Sequence, residues 1–335
     1  MWGMRRFLVA PDSFKGSFDA AAVAEAIAAG VEAAGVEADR CPVADGGEGT
    51  MAVLLGALGG ERRRARVHDP LRRPVDAEYA LLADGETAIV EMAQASGLSL
   101  VEPAERDAER ADTFGTGELI GAAIAVGAKR VLVAVGGSAT TDGGRGAIEA
   151  MRESAAAFVL RTASGGQRTN AEGVRVDVLC DVQTRFEDAA RVYGPQKGAD
   201  PAAVERLTAR LDRLASELPR DPRGVAMTGC AGGLSGGLWA YGAELRPGAG
   251  FVLDSLDFDA RLARADAVIS GEGRFDSQSL EGKIVGAIAE RCAAAGKPLH
   301  LIVGQTALPN LLGSLAAASD IGGIRQAAAR LARQL

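Results

Sequence analysis

The sequence predicts an α/β protein: a doubly wound parallel sheet, with a second α/β domain inserted into it. Three observations predict this. Short apolar runs alternate with helical stripes at both ends of the chain. The middle has a different rhythm of short alternating strands. Polar, glycine-rich clusters fall where the apolar runs stop. The length of 335 residues suits two domains at about 150 residues each.

Arg6 to Pro11 is a short apolar run closed by Pro-Asp and reads as a buried strand. Ser17 is the expected N-cap of a helix carrying Val23, Ile27 and Val31, which Gly35 ends. Val36 to Ala44 is the second strand. Met51, Leu54, Leu55 and Leu58 form the next helical stripe, stopped by Gly59 and Gly60. The chain thus opens β-α-β-α.

Its last part repeats that rhythm. Ala267 to Ser270 and Leu299 to Val303 are apolar strands. Between them Ile284, Ala287 and Ile288 mark a helix stopped by Gly296 and Pro298. Leu311, Leu312 and Leu315 have helical spacing, and a short strand near Ile321 to Ile324 precedes Ala327, Ala328 and Leu331. Five strands alternating with helices fit one parallel sheet, two from the start of the chain and three from its end. Residues 1–67 and 251–335 are therefore expected to form the first domain and 68–250 the inserted one. Within the insert, strands are expected at Ala77 to Leu82, Thr87 to Met92, Val131 to Val135 and Val176 to Cys180. Helices are expected after Gly117 and over Ala202 to Leu218.

Composition narrows the function. The net charge of −7 leaves no basic footprint for nucleic acid. Four dispersed cysteines form no C-x-x-C and no disulfide framework, and are expected as small apolar core residues. No apolar run reaches membrane-spanning length, and the run after Arg6 is too short for a signal peptide, so a cytoplasmic protein is expected. Histidine occurs only twice, which makes a Ser-His-Asp triad improbable. His300 lies within an apolar strand and reads as a core residue, and His68, beside Asp69 and Pro70, as a turn residue. Neither a P-loop nor a G-x-S-x-G motif occurs, and G-T-G-E-L-I-G (115–121) is one residue too long for a dinucleotide fingerprint.

Glycine, in contrast, supplies 44 residues, roughly twice the usual share. In open α/β sheets ligands bind beyond the carboxyl ends of the strands, and three clusters fall at such ends. They are Asp12, Ser13, Lys15 and Ser17 after the first strand; Asp45, Gly46 and Gly47 after the second; and Gly271, Glu272, Gly273, Arg274 and Asp276 after Ser270. Glycine turns before helices offer free N–H groups to an anion. Lys15, Arg274 and Lys283 could neutralise phosphate, while Asp12, Asp45, Glu272 and Asp276 could bind Mg²⁺ or accept a hydroxyl proton. The insert adds Gly115 with Thr116, the run 136–144, the stretch 194–198 with Gln196 and Lys197 after Asp181, and the run 229–237. The last of these could instead let backbones pack closely.

In this order, the clusters resemble the bacterial-type glycerate kinase family. The matching stretches are APDSFKGS (10–17), ADGGEGT (44–50), EMAQASGL (91–98), GTGELI (115–120), GGSATTDGG (136–144), GPQKGA (194–199), AGGL (231–234) and GEGRFDSQSLEGK (271–283). The chain departs from the family pattern over 145–179, at Thr141 and over Gln183 to Phe186, which puts the substrate contacts and the subunit interface in doubt.

The resemblance implies a flavodoxin-like domain interrupted by a second α/β domain, with the active-site cleft between them. It implies ATP-dependent phosphorylation of D-glycerate to 2-phosphoglycerate, with ATP and Mg²⁺ as cofactors, within glyoxylate and glycerate catabolism. A homodimer is compatible with it. On this reading Lys15 and Lys197 hold phosphates or the glycerate carboxylate, Asp45 or Asp181 carries Mg²⁺ or acts as base, and Arg274 balances charge on the transferred group. Asp12, Ser13, Gly46, Gly47, Gly115, Thr116, Gly136, Gly137, Ser138, Thr140, Asp142, Gln196, Gly271, Glu272, Gly273, Asp276 and Lys283 surround substrate and phosphates. Competing readings are a kinase that forms 3-phosphoglycerate or acts on another sugar acid, a non-catalytic sugar-acid-binding regulator, and a nicotinamide-dependent oxidoreductase.

Overall fold

The computed structural model describes residues 5–154, 174–275, 283–306 and 314–334. Its strands in chain order are β1 (Arg6–Pro11), β2 (Glu37–Arg40), β3 (Gly60–His68), β4 (Pro74–Leu82), β5 (Thr87–Glu91), β6 (Arg130–Ala134), β7 (Arg175–Cys180), β8 (Glu244–Pro247), β9 (Ala267–Phe275), β10 (Leu299–Thr306) and β11 (Ser314–Ala317). The chain divides into two compact units. The first comprises residues up to 45, 52–57 and from 249 onward, and the second 46–51 and 58–248.

The first unit is built on a five-stranded sheet in the order β11-β10-β9-β1-β2, in which every pairing is parallel. Counted within the unit, this is the flavodoxin order 2-1-3-4-5, and the strand order reverses between β1 and β9. The central strands β1, β9 and β10 are buried on both faces because alternate side chains enter two cores. Leu8, Ala10, Val268, Leu301 and Val303 pack with helices Gly248–Ser255, Phe258–Arg264 and Ile284–Ala295. Phe7, Val9, Ile269 and Ile302 pack on the other face with helices Ala20–Glu32 and Ile321–Gln334.

Local differences from the sequence reading have physical causes. Asp19, and not Ser17, caps the first helix, its carboxylate accepting the Ala22 N–H at 2.7 Å. Ser17 lies instead in a turn closed by the Phe14–Phe18 bridge. The 321–324 stretch is no strand. Ile324, Ala327, Ala328, Leu331 and Ala332 are buried at helical spacing, so the chain from Ile321 is a helix. The fifth strand is β11, which contains Leu315; residues 311 and 312 lie outside the described residues. The 60–67 stretch, grouped with the first segment by pattern, forms β3 and pairs along its length with β4.

The second unit holds a six-stranded sheet in the order β3-β4-β5-β6-β7-β8. The β3–β4 and β4–β5 pairings are antiparallel, and β5 to β8 run parallel. Helix Phe114–Ala125 buries Leu119, Ile120 and Ala123 in the core containing Val90, Val131, Val133 and Val178. Helix Pro201–Glu217, capped by Asp200, packs Leu207 and Leu211 with Phe186 in a satellite core.

Candidate active site

The carboxyl ends of β1, β9 and β10 surround a cavity of about 390 Å³ in the first unit. Asp12, Ser13, Lys15, Asp45, Glu272, Gly273, Arg274 and Lys283 all line it, so these sequence-singled residues come together. Phe14, Ser17, Ile284, Gly304, Gln305 and Ser319 complete the wall. Gly304, Gln305 and Ser319 carried no motif signal; Gly304 and Gln305 arrive because β10 runs beside β9, with Gln305 opposite Arg274, and Ser319 follows β11. Asp276 lies outside the described residues.

The third cluster differs from expectation in form. The chain does not turn at Ser270. It continues in β9 to Phe275, because Gly271 to Phe275 keep their pairing with β10. Gly271 is required there by space: a Cβ would strike the Ile302 carbonyl. Gly273 similarly lets the loop after β1 approach, its missing Cβ being 3.1 Å from the Lys15 backbone nitrogen. These two glycines are close-approach residues within a strand and not a turn before a helix.

Three carboxylates and three cations share the cavity. Asp12 is 6% exposed and Asp45 4%, while Lys15 reaches Asp45 at 3.9 Å. Burial, with the charges of Asp45 and Glu272, pushes Asp12 up to about 7, against the lowering effects of the Ser13 N–H and Lys15. A carboxyl near neutrality beside Lys15, in a cavity also lined by Arg274 and Lys283, can take a proton from a hydroxyl while an anion sits in the same cavity.

The second unit gathers a separate polar cluster. Lys197 is 2% exposed, with its Nζ 2.8 Å from Ser138 Oγ and 2.6 Å from the Thr140 carbonyl. Burial lowers it to about 7, opposed by the charge of Asp142. Asp142 itself is engaged structurally: it accepts from Thr113 N and Oγ1, Gly144 N and Gly146 N, which orders the start of helix Arg145–Arg152. Thr116 is buried, with its hydroxyl 2.7 Å from Ser96 Oγ. Gly115 packs its helix against the His68 carbonyl, and Gly136 lies against Gly47. Gly46 meets Gly248 in the same way. Gly137 and Gln196 are exposed, and Asp181 is half-buried after β7. The run 229–237 packs backbone on backbone, with Gly237 against Gly143.

Sequence reasoning did not place Glu91 in the site. This carboxylate is 3% exposed and accepts Gly49 N at 2.9 Å and Met51 N at 2.8 Å, holding the turn that opens helix Thr50–Leu58. The only signal was its presence in the 91–98 stretch. His68 is more than a turn residue: it ends β3, with Nδ1 3.0 Å from the Glu118 carboxylate. His300 is buried in β10 as expected. All four cysteines are free and buried.

The family model described as "Glycerate kinase family" matches residues 7–328. The chain belongs to the glycerate kinase family. A glycerate kinase of Bacillus subtilis (strain 168) is 37% identical over 327 residues, covering 90% of this chain and 85% of that protein. A glycerate 2-kinase of Escherichia coli (strain K12) is 36% identical over 324 residues, covering 90% and 85%. A crystal structure assigned as glycerate kinase 2 of Salmonella typhimurium LT2 superposes with a TM-score of 0.83 at 32% identity, covering 99% of this chain and 98% of that one. Membership of the glycerate kinase family makes the chain a phosphotransferase. Among the described residues, no helix is long and apolar enough to cross a membrane.

Proposed function

We propose that the chain catalyses transfer of the γ-phosphoryl group of ATP to D-glycerate, giving 2-phosphoglycerate and ADP. The observation that carries this reading is Asp12, a buried carboxyl raised to about 7, which shares with three cations the cavity at the carboxyl ends of β1, β9 and β10. Asp12 accepts the proton of the glycerate hydroxyl as its oxygen bonds to phosphorus. The bond from phosphorus to the ADP oxygen breaks on the opposite side. Positioning and charge carry such a step, since it needs little covalent help. Lys15 and Lys283 hold anionic oxygens, and Arg274 balances charge on the group in transit. In the second unit, Lys197 and the glycine run 136–144 offer a further anion-binding surface.

Among the described residues, no three His, Cys, Asp or Glu side chains are placed to hold a metal ion. Mg²⁺ accompanying a nucleotide needs only one or two carboxylates besides phosphates and water. The acidic wall of the cavity fits that requirement, with Asp45 and Glu272 as the residues that would hold it. The ion supplies charge neutralisation on the phosphates.

A coupled ADP-release assay with D-glycerate, L-glycerate and other sugar acids tests this reading. ADP release that depends on D-glycerate is expected. Release only with another acid would change the substrate, and release with none would overturn the proposal.

A further inference from the structure

The loop 136–144 that follows β6 is held from behind by one helix. Arg210 projects from helix Pro201–Glu217 and spends both terminal nitrogens on main-chain carbonyls: Nη1 donates to Glu109 at 2.6 Å and Nη2 to Thr141 at 2.7 Å. The same helix braces the loop two residues further on. A Cβ at Gly143, which takes a φ of +66°, would lie 2.5 Å from Leu214 and 3.1 Å from Leu211. Leu211 is itself buried in the satellite core with Phe186. Two consecutive carbonyls are thus taken by cations, Thr140 by Lys197 at 2.6 Å and Thr141 by Arg210. Lys197 Nζ also donates to Ser138 Oγ at 2.8 Å, so that oxygen accepts and its hydroxyl proton is left to donate elsewhere. On the other side of the loop, Leu98 N–H donates to the Gly137 carbonyl at 2.8 Å. A peptide unit is planar and trans, so the Ser138 N–H points the opposite way, and it has no acceptor among the described residues. Gly137 is exposed and Ser138 half-buried, whereas the base of the loop, Ala139 to Asp142, is buried. The tip therefore offers one N–H and one O–H donor.

We infer that Arg210 is a positioning residue for nucleotide binding: by tying the Thr141 carbonyl to a helix anchored in a core, it holds the base of the loop so that the Ser138 N–H and O–H are preset for a phosphate of the donor nucleotide. The inference rests on the reading that this loop binds phosphate. Arg210 itself does not touch the ligand. Without it the peptide between Thr140 and Thr141 is free to rotate, Lys197 loses a fixed acceptor, and the Ser138 hydroxyl loses its orientation with it. Donors fixed before binding give tighter binding, because the cost of ordering them is already met. Arg206 serves as an internal control. It lies one turn earlier on the same helix and reaches the same residue, Glu109, but at its carboxylate, with Nε at 2.9 Å and Nη2 at 2.7 Å. Among the described residues it makes no bond to the loop.

Titration calorimetry of the full chain with ADP tests the inference. Arg210→Met should weaken ADP binding about 10-fold or more. It should raise KM for ATP by a similar factor with a smaller change in kcat, the pattern of lost ground-state binding. Arg206→Met removes a tie to the same residue and should change ADP binding by about twofold or less. Arg210→Lys keeps the charge but cannot span both carbonyls. It should weaken ADP binding about threefold or more, and it carries the test where Arg210→Met does not fold. Folded Arg210 variants that bind ADP as wild type does would overturn the proposal. So would an equal loss in Arg206→Met, or a wild type that binds no ADP. ADP release with D-glycerate is read in a separate assay on the wild type, so an active enzyme whose Arg210 variants bind ADP normally sinks this inference and leaves the kinase reading standing.

Discussion

The backbone N–H of Asp12 donates to the Gly271 carbonyl at 2.8 Å, extending the β1–β9 ladder by one bond beyond Pro11. That bond brings a buried carboxyl from the start of the chain beside Glu272 from its last third, at the point where strand order reverses. Parallel neighbours on either side of a reversal leave a crevice that no connection fills. The chemistry of the first unit follows from this placement.

Asp12→Asn should lower kcat by about 100- to 10,000-fold, the usual contribution of a positioned base. In the wild type, kcat/KM for D-glycerate should fall as pH drops through about 7, because the protonated carboxyl cannot accept the hydroxyl proton. A steady-state pH profile checks both.

The same group makes stability depend on pH in the opposite sense. The pKa of Asp12 is raised on folding, so the folded state binds its proton more tightly than the unfolded chain. Its contribution is therefore present below about 4 and is lost as pH rises through about 7. Urea denaturation of Asp12→Asn at pH 8 should show a gain on the order of 1–3 kcal/mol over wild type. That gain should shrink toward pH 5.

Gly271→Ala should destabilise the chain by about 1–3 kcal/mol, since the new methyl meets the Ile302 carbonyl of a neighbouring strand, which cannot yield without breaking its ladder. The urea midpoint should fall with little change in slope.

Glu91→Ala leaves the N–H groups of Gly49 and Met51 without their carboxylate. A loss of about 1–3 kcal/mol is expected from the unpaired donors, measured by thermal unfolding.

The cysteines should be silent in the native state. Burial raises Cys41 to about 11 and Cys292 to about 12, and Cys180 is pushed up by its contact with Cys230 and then by burial. A thiol-reactive chromogen at pH 8 should label none of the four cysteines in native protein and all four after unfolding.

What could be read in the sequence follows burial. β1 and β6 are buried on both faces and show as unbroken apolar runs after their first arginine. The sheet-edge strands hide. β3 carries four arginines at 62, 63, 64 and 66, and its outward side chains suit an exposed edge. β8 and β11 are four residues each and lack a buried face. The cavity of the first unit was legible because strand ends in a parallel sheet must converge, so Asp12, Lys15, Asp45 and Glu272 could be grouped without knowing a distance. Glu91 was not legible: its partners are 40 and 42 residues away, and nothing local to Glu91 marks a carboxylate that caps a remote helix. Glycine has two meanings that composition cannot separate. Gly115 and Gly271 make room for a passing carbonyl, whereas Gly137 takes a φ of +74° that other residues rarely adopt.

Phosphorus NMR of a mixture of ATP, Mg²⁺, D-glycerate and enzyme tests the central claim most directly. The account predicts loss of the γ-phosphate resonance and growth of a phosphate-ester doublet, split by the single hydrogen on carbon 2 of 2-phosphoglycerate. A spectrum that gains only inorganic phosphate, or does not change, would contradict it.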